Sequence, residues 1–207
     1  MKTVKHYTWL IKPINTPFIK KKCSKCNCNT LFYCSNKFRL NSQKKYIDVW
    51  LIYRCEECDT TYNLTILSRT KPHLIDKELY QKFSENNENL AWKYAFDGEI
   101  LKRNSVECDF SNFEYDIIHE SPLLPDILTM EAGQIEFRIQ IEYNLPIRLD
   151  TIIRKCLGIS SGQLERMLDA GLMSIQPDGT NKKHKVRNDM VVVLHCKNLH
   201  KHLIGIV

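Results

Sequence analysis

The chain carries two Cys-x-x-Cys pairs, Cys23-Ser24-Lys25-Cys26 and Cys55-Glu56-Glu57-Cys58, with 28 residues between them. Two residues between cysteines let one tight turn aim both sulfurs at a single ion, and two such turns complete a tetrahedron. Asn27 and Asp59 follow the pairs, where a residue tolerating left-handed backbone is needed. The intervening stretch suffices for a β-hairpin that carries the second turn back beside the first. The spacing therefore predicts a small antiparallel sheet of zinc-ribbon type, with Cys23, Cys26, Cys55 and Cys58 holding a structural Zn2+. A closed four-thiolate shell has no open position for water, so such a site catalyses nothing and is expected to stand in for a hydrophobic core in a sheet too small to be stable without it. Reduced, unliganded thiols are one competing reading. A redox pair is another, but it needs a strand-to-helix junction that neither turn has. Cys28 and Cys34 are surplus: Cys28 reads as a bystander and Cys34 as a buried strand residue.

The chain holds nine cysteines, six of them between Cys23 and Cys58. An odd number without a secretory leader argues against a disulfide framework and for a reducing, cytoplasmic setting. With 43% hydrophobic and 26% charged residues in 207, the composition is that of a globular protein, which excludes a disordered or collagen-like chain and a coiled-coil rod. No apolar run approaches the roughly 18–20 residues of a spanning helix. The expectation is a protein with no membrane span and no signal peptide.

Charge is segregated. Residues 1–70 carry +9, residues 71–145 carry −8 and residues 146–207 carry +5. Basic ends around an acidic middle fit either mutual neutralisation on folding or an anionic partner bound by the ends.

Local patterns divide the chain into three expected parts. Residues 1–70 read as the ribbon, with one irregular strand before the first cysteine pair and β-prone runs at 31–33, 38–40, 46–54 and 62–67. Residues 71–134 read as a mostly helical acidic connector: a helix capped by Asp76, Asn86-Asn87 as a stop, a second helix through Leu90 and Ala95, a turn at Asp97-Gly98, and a loop at Pro122 and Pro125. Residues 135–207 begin with a strict period-two strand at 135–143. Helices over 149–157 and from Ser160 or Ser161 to Ala170 follow, closed by Gly171, and two strands then flank the polar loop 176–189.

The run from Arg148 through Gly158-Ile159-Ser160 and Ala170-Gly171 to Lys185-Val186-Arg187-Asn188-Asp189 resembles the alpha-L RNA-binding module. That module occurs in a small-subunit ribosomal protein, in pseudouridine synthases and in tyrosyl-tRNA synthetases. The resemblance implies RNA-backbone contact from Arg148, Lys155, Ser161, Gln163, Arg166 and Lys185. Ser161 and Gly162 stand where a basic residue is common just after the first Ser of the second helix, and Gln176-Pro177-Asp178-Gly179 replaces the usual Val-Asn-Gly turn. Independently of the resemblance, Lys182, Lys183, His184 and Lys185 with Arg187 form a basic loop able to track phosphates. The N–H groups at a helix start also attract phosphate. A solvated loop retained for packing is the plain alternative.

Over most of its length the chain also resembles an uncharacterised bacterial family known only as a domain of unknown function. The resemblance rests on Cys34-Ser-Asn-Lys-Phe-Arg-Leu-Asn41, Asp48-Val-Trp-Leu-Ile-Tyr-Arg-Cys-Glu-Glu-Cys-Asp59 and Trp92-Lys-Tyr-Ala-Phe-Asp97. It implies no activity.

Other groupings are weaker. Asp116, His119 and Glu120 lack a nucleophile or phosphate loop nearby, and His195, Cys196, His200 and His202 match no strong metal template. Trp50, Tyr53, Phe38 and Arg39 either stack on bases or form the ribbon's core, which burial decides. No P-loop, GxGxxG or GxSxG motif is present. The expectation is an α+β, non-enzymatic, zinc-containing protein that binds structured ribosomal or transfer RNA. Lys25, Arg39, Lys44 and Lys45, with Lys20, Lys21 and Lys22, add contacts from the ribbon. The alternatives are a protein–protein adaptor with a structural zinc ion, and a hydrolase or transferase built on the acidic middle.

Overall fold

A computed structural model describes residues 3–43, 45–130, 132–196 and 199. The chain forms two compact units, one made of Met1–Lys12 with Tyr115–Val207 and the other of Pro13–Glu114. The segment 71–134, expected as a connector, is thus divided between them. Strand β1 (Val4–Pro13) opens the discontinuous unit, and the chain then builds the continuous one before returning.

The continuous unit is a five-stranded sheet in the order β5-β4-β3-β2-β6, comprising β2 (Phe18–Lys22), β3 (Asn29–Gln43), β4 (Tyr46–Cys55), β5 (Thr61–Thr70) and β6 (Glu107–Asp109). The runs 31–33 and 38–40 are one strand, irregular where Ser35 and Asn36 interrupt the pairing between Cys34 and Lys37. The Ser35 hydroxyl donates to the Ile52 carbonyl at 2.7 Å and steadies the break. Along β4 burial alternates residue by residue, so Ile47, Val49, Leu51, Tyr53 and Cys55 face one side.

Helices α1 (Lys77–Ser84), α2 (Glu88–Ala95) and α3 (Gly98–Arg103) cover that side. Carboxylate or amide caps start each of them: Asp76 accepts from the N–H groups of Glu78 and Leu79, Asn87 from Leu90, and Asp97 from Glu99 and Ile100. Asn87 therefore starts a helix where a stop was expected, while Asn86 takes the left-handed turn at φ 54° that ends α1. Phe83, Leu90, Ala91, Ala95 and Leu101 join Ile19, Phe32, Phe38, Val49, Leu51 and Tyr53 in one core. The expectation of a sheet held in shape by its ion alone is corrected here, because the helices complete a hydrophobic core on one side of the sheet.

The discontinuous unit holds a second five-stranded sheet, β7-β1-β8-β10-β9, with β7 (Tyr115–Ile118), β8 (Gln134–Ile141), β9 (Met173–Gln176) and β10 (Val191–Leu194). Strand β1 runs parallel to β8, from Val4 opposite Gln134 to Ile11 opposite Ile141. It does not simply lead into the first cysteine pair, as its sequence had implied. Parallel neighbours require a long crossover, and the whole continuous unit lies within this one. Trp9 and Phe137 are fully buried with stacked rings 4.6 Å apart, and Trp9 Nε1 donates to Ser121 Oγ at 2.9 Å.

Between Pro122 and Thr129 the expected loop is a short helix, α4 (Leu124–Leu128), with Pro125 in its first turn, where a missing N–H costs nothing. Helices α5 (Leu149–Leu157) and α6 (Ser161–Asp169) match the expected pair. Gly158 ends α5 at φ 66° with Leu123 Cδ2 3.4 Å from where a Cβ would sit. Gly158→Ala is expected to lower stability by about 1–2 kcal/mol, the cost of a left-handed L-residue, measured as a shifted denaturant midpoint with unchanged slope. Ser160 caps α6 reciprocally with Gln163.

Candidate metal centre and basic surface

The two cysteine turns are built alike. In the first, the Cys23 N–H donates to the Cys28 carbonyl and the Asn27 N–H to the Cys23 carbonyl, both at 2.9 Å. In the second, Cys55 donates to Thr60 and Asp59 to Cys55, again at 2.9 Å. Asn27 and Asp59 take φ of 56° and 60°, the left-handed geometry their residue types allow. Each turn joins two neighbouring strands, β2 to β3 and β4 to β5. Because Phe32 pairs with Cys55, the β3–β4 hairpin brings both turns to one end of the sheet.

The four sulfurs converge. Cys23 Sγ lies 3.5 Å from Cys58 Sγ, Cys26 Sγ lies 4.0 Å from Cys55 Sγ, and all four lie within 4.8 Å of one another. A tetrahedral ion with metal–sulfur bonds near 2.3 Å sets sulfur–sulfur edges of about 3.8 Å. The set fits a metal ion, and among the described residues no other group of three or more His, Cys, Asp or Glu comes together in this way.

Electrostatics agree. The Thr60 hydroxyl and backbone N–H bring the Cys58 thiol down to about 6. The Cys58 sulfur, then burial, then the Cys23 and Cys55 sulfurs push Cys26 up. Crowded thiols resist ionising together, and a divalent cation at their centre reverses that balance. Thr60, two residues past the last of the four cysteines, was not singled out from sequence, although a hydroxyl at that position of the turn is a readable signal. Cys28 is exposed, and Cys34 is half-buried in β3 with its thiol pushed up to about 11 by burial.

Of the basic candidates of the discontinuous unit, Arg148, Lys182 and Lys185 meet where the loop after β9 lies against the start of α5. Leu149 N–H donates to the His184 carbonyl at 3.0 Å, Asp150 to Lys182 at 2.9 Å, and Val186 to Ile147 at 2.8 Å. Arg148 therefore pairs with Lys185 as an isolated bridge, although the two lie far apart in sequence. The loop carbonyls occupy the first N–H groups of α5, so these are not free to meet a phosphate.

The candidates differ in what already holds them. Arg148 forks onto the Asp150 carboxylate at 2.6 and 3.1 Å, and Lys182 Nζ meets Glu165 at 2.7 Å. Gln163 is committed to its cap, and Arg166 Nε donates to the Gly162 carbonyl at 3.3 Å. Lys155 lies over the Tyr115 ring at 4.8 Å. Ser161, Lys183, Lys185 and Arg187 are exposed.

In the continuous unit Lys25, Arg39 and Lys45 are exposed, and Lys44 lies outside the described residues. Lys20 pairs with Asp109 at 2.7 Å and Lys21 sits over the Tyr62 ring at 4.3 Å. Phe38 and Tyr53 belong to the core, whereas Trp50 is half-buried on the opposite face. His119 Nδ1 meets Ser121 Oγ at 2.9 Å, and His195 Nε2 meets Ser174 Oγ at 3.4 Å; His200 and His202 lie outside the described residues. Among the described residues no helix is long and apolar enough to cross a membrane.

A family model described as "Protein of unknown function (DUF1062)" matches residues 40–179, a span that includes the second cysteine pair and the α5–α6 helices. No curated protein and no solved structure matches the chain.

Proposed function

The chain belongs to this family of proteins of unknown function, which lends it no activity, and from its own surfaces we propose that it is a non-enzymatic RNA-binding protein carrying a structural zinc ion. Four converging thiolates favour zinc, which accepts a tetrahedral all-sulfur shell without a redox change. On this reading the sheet and its two cysteine turns are a zinc ribbon, and α5, α6 and the loop after β9 are an alpha-L-like module. The free thiols suit a reducing cytoplasm.

The observation that carries the RNA reading is the pinned loop. Backbone hydrogen bonds hold residues 182–186 against the start of α5, and Lys183, Lys185 and Arg187 stand exposed along that loop while Arg148 beside it is held by Asp150. Cations gathered in this way neutralise phosphates and release counterions.

The test is titration of the zinc-loaded chain with a structured RNA hairpin at two salt concentrations. The double variant Lys183→Gln/Lys185→Gln is expected to bind more weakly and to flatten the slope of log affinity against log salt by about 1.5. Binding no tighter than that of a basic control protein, or a slope indifferent to both substitutions, would overturn the reading. Crosslinking in cells that returned proteins and no RNA would favour an adaptor instead.

A further inference from the structure

The side of the continuous unit's sheet that faces away from α1–α3 has its own chemistry. Along β4 the residues alternating with the core set are Tyr46, Asp48, Trp50, Ile52 and Arg54, none of them buried. The break in β3 inserts two residues, an even number, so the sidedness of the strand survives it. Tyr33 stands opposite Arg54, Lys37 opposite Ile52 and Arg39 opposite Trp50, all on this outer side. Tyr33 is 39% exposed, and Lys37 and Arg39 are exposed. The largest aromatic on this sheet therefore points away from the core, with two cations on the neighbouring strand.

We infer that this outer face is a stacking platform for unpaired bases of single-stranded RNA, with Trp50 and Tyr33 meeting base faces and Lys37 and Arg39 meeting phosphates. Every base has a π-face, so aromatic side chains on an open sheet bind single strands with little regard to sequence, while flanking cations track the backbone. Charge favours RNA over an acidic or apolar protein surface. The acids of this face are already engaged, Asp48 by the Arg69 N–H at 2.7 Å and Asp59 by the Tyr33 hydroxyl at 2.9 Å and by Arg54. Lys37 and Arg39 hold no acidic partner among the described residues. Glu56 and Glu57 lie at the metal end just past Tyr33, so the phosphates are placed on the other side of Tyr33, toward Lys37 and Arg39. Tyr33 and Trp50 are separated by four residues' rise along β4, about 13 Å. A short oligonucleotide spans that distance.

The inference names the same class of partner as the reading above, but it rests on other residues in the other unit, and the two can fail separately. The probe is an oligouridine decamer, which has no duplex structure, titrated into the zinc-loaded full chain. Tryptophan emission is expected to be quenched. Trp50→Thr is expected to weaken binding roughly ten- to hundred-fold, while Trp50→Phe retains most of it. Arg39→Gln, an exposed change that leaves the core alone, is expected to flatten the salt slope by about 0.7. If Trp50→Thr does not fold, as judged by bound metal and the thermal transition, Arg39→Gln decides.

Emission indifferent to the decamer, or decamer binding unchanged in these variants, overturns the inference; a face built for a protein gives that result. Decamer binding that survives Lys183→Gln/Lys185→Gln but fails with Trp50→Thr supports the platform by itself. Hairpin binding lost in the loop variant, with the decamer ignored throughout, leaves the earlier reading standing and ends this one.

Discussion

A Cys55→Ser chain is expected to purify without its metal ion, and its continuous unit to melt roughly 15–30 °C lower than the parent. Cys55 is buried, its sulfur is 4.0 Å from that of Cys26, and its N–H closes the second turn onto Thr60. Serine offers a hard oxygen of far higher pKa, so the shell falls to three thiolates and opens to water. An ion that binds only the folded state, present at a thousand times its dissociation constant, adds about 4 kcal/mol. For a unit near a hundred residues, that loss gives the stated shift in melting temperature. Complete unfolding is not expected, because the core that holds Cys23 and Cys55 also takes in Phe83, Leu90, Ala91, Ala95 and Leu101 from helices α1–α3. Elemental analysis and calorimetry check both halves. A variant that keeps a full equivalent of ion, or melts with the parent, would remove the metal centre from the account.

Phe83→Ala is expected to cost about 3–5 kcal/mol through loss of buried area and the cavity left behind. Phe83 is fully buried, edge-on to Phe38 at 5.0 Å and stacked on Tyr94 at 5.9 Å. Its ring joins α1 to the sheet on the side that α2 also covers. Below its lowered transition this variant should hold its ion at the parental stoichiometry, the opposite pattern to Cys55→Ser. Denaturant titration with metal analysis of the folded fraction measures both. An ion lost well below the transition would mean that the core and the centre act as one support.

Most of the four-cysteine cluster was legible in the sequence because its determinants are local. Cys-x-x-Cys spacing, a left-handed residue after each pair and a hairpin's length of chain all lie within short stretches. The period-two run at 135–143, of which the structure makes Gln134–Ile141 a strand, and the α5–α6 pair were legible for the same reason. What escaped was non-local. Nothing in Val4–Pro13 says that its parallel partner is β8, and nothing near Lys20 or Lys182 shows that Asp109 and Glu165 hold them. The caps were misread where one residue type serves two ends, as Asn86 and Asn87 do. Trp50 and Tyr53 looked alike as aromatics of one ribbon; an odd separation along a strand puts them on opposite sides.

The placement of β1 bears on how this protein can be cut. A fragment beginning at Tyr115 would look like a complete carboxy-terminal half, yet it would lack the strand between β7 and β8 and the indole that stacks on Phe137. Residues 13–114 make the more natural excised piece. What remains would need its first dozen residues spliced back on, by a short linker or by circular permutation, before any binding it shows could be ascribed to a whole fold.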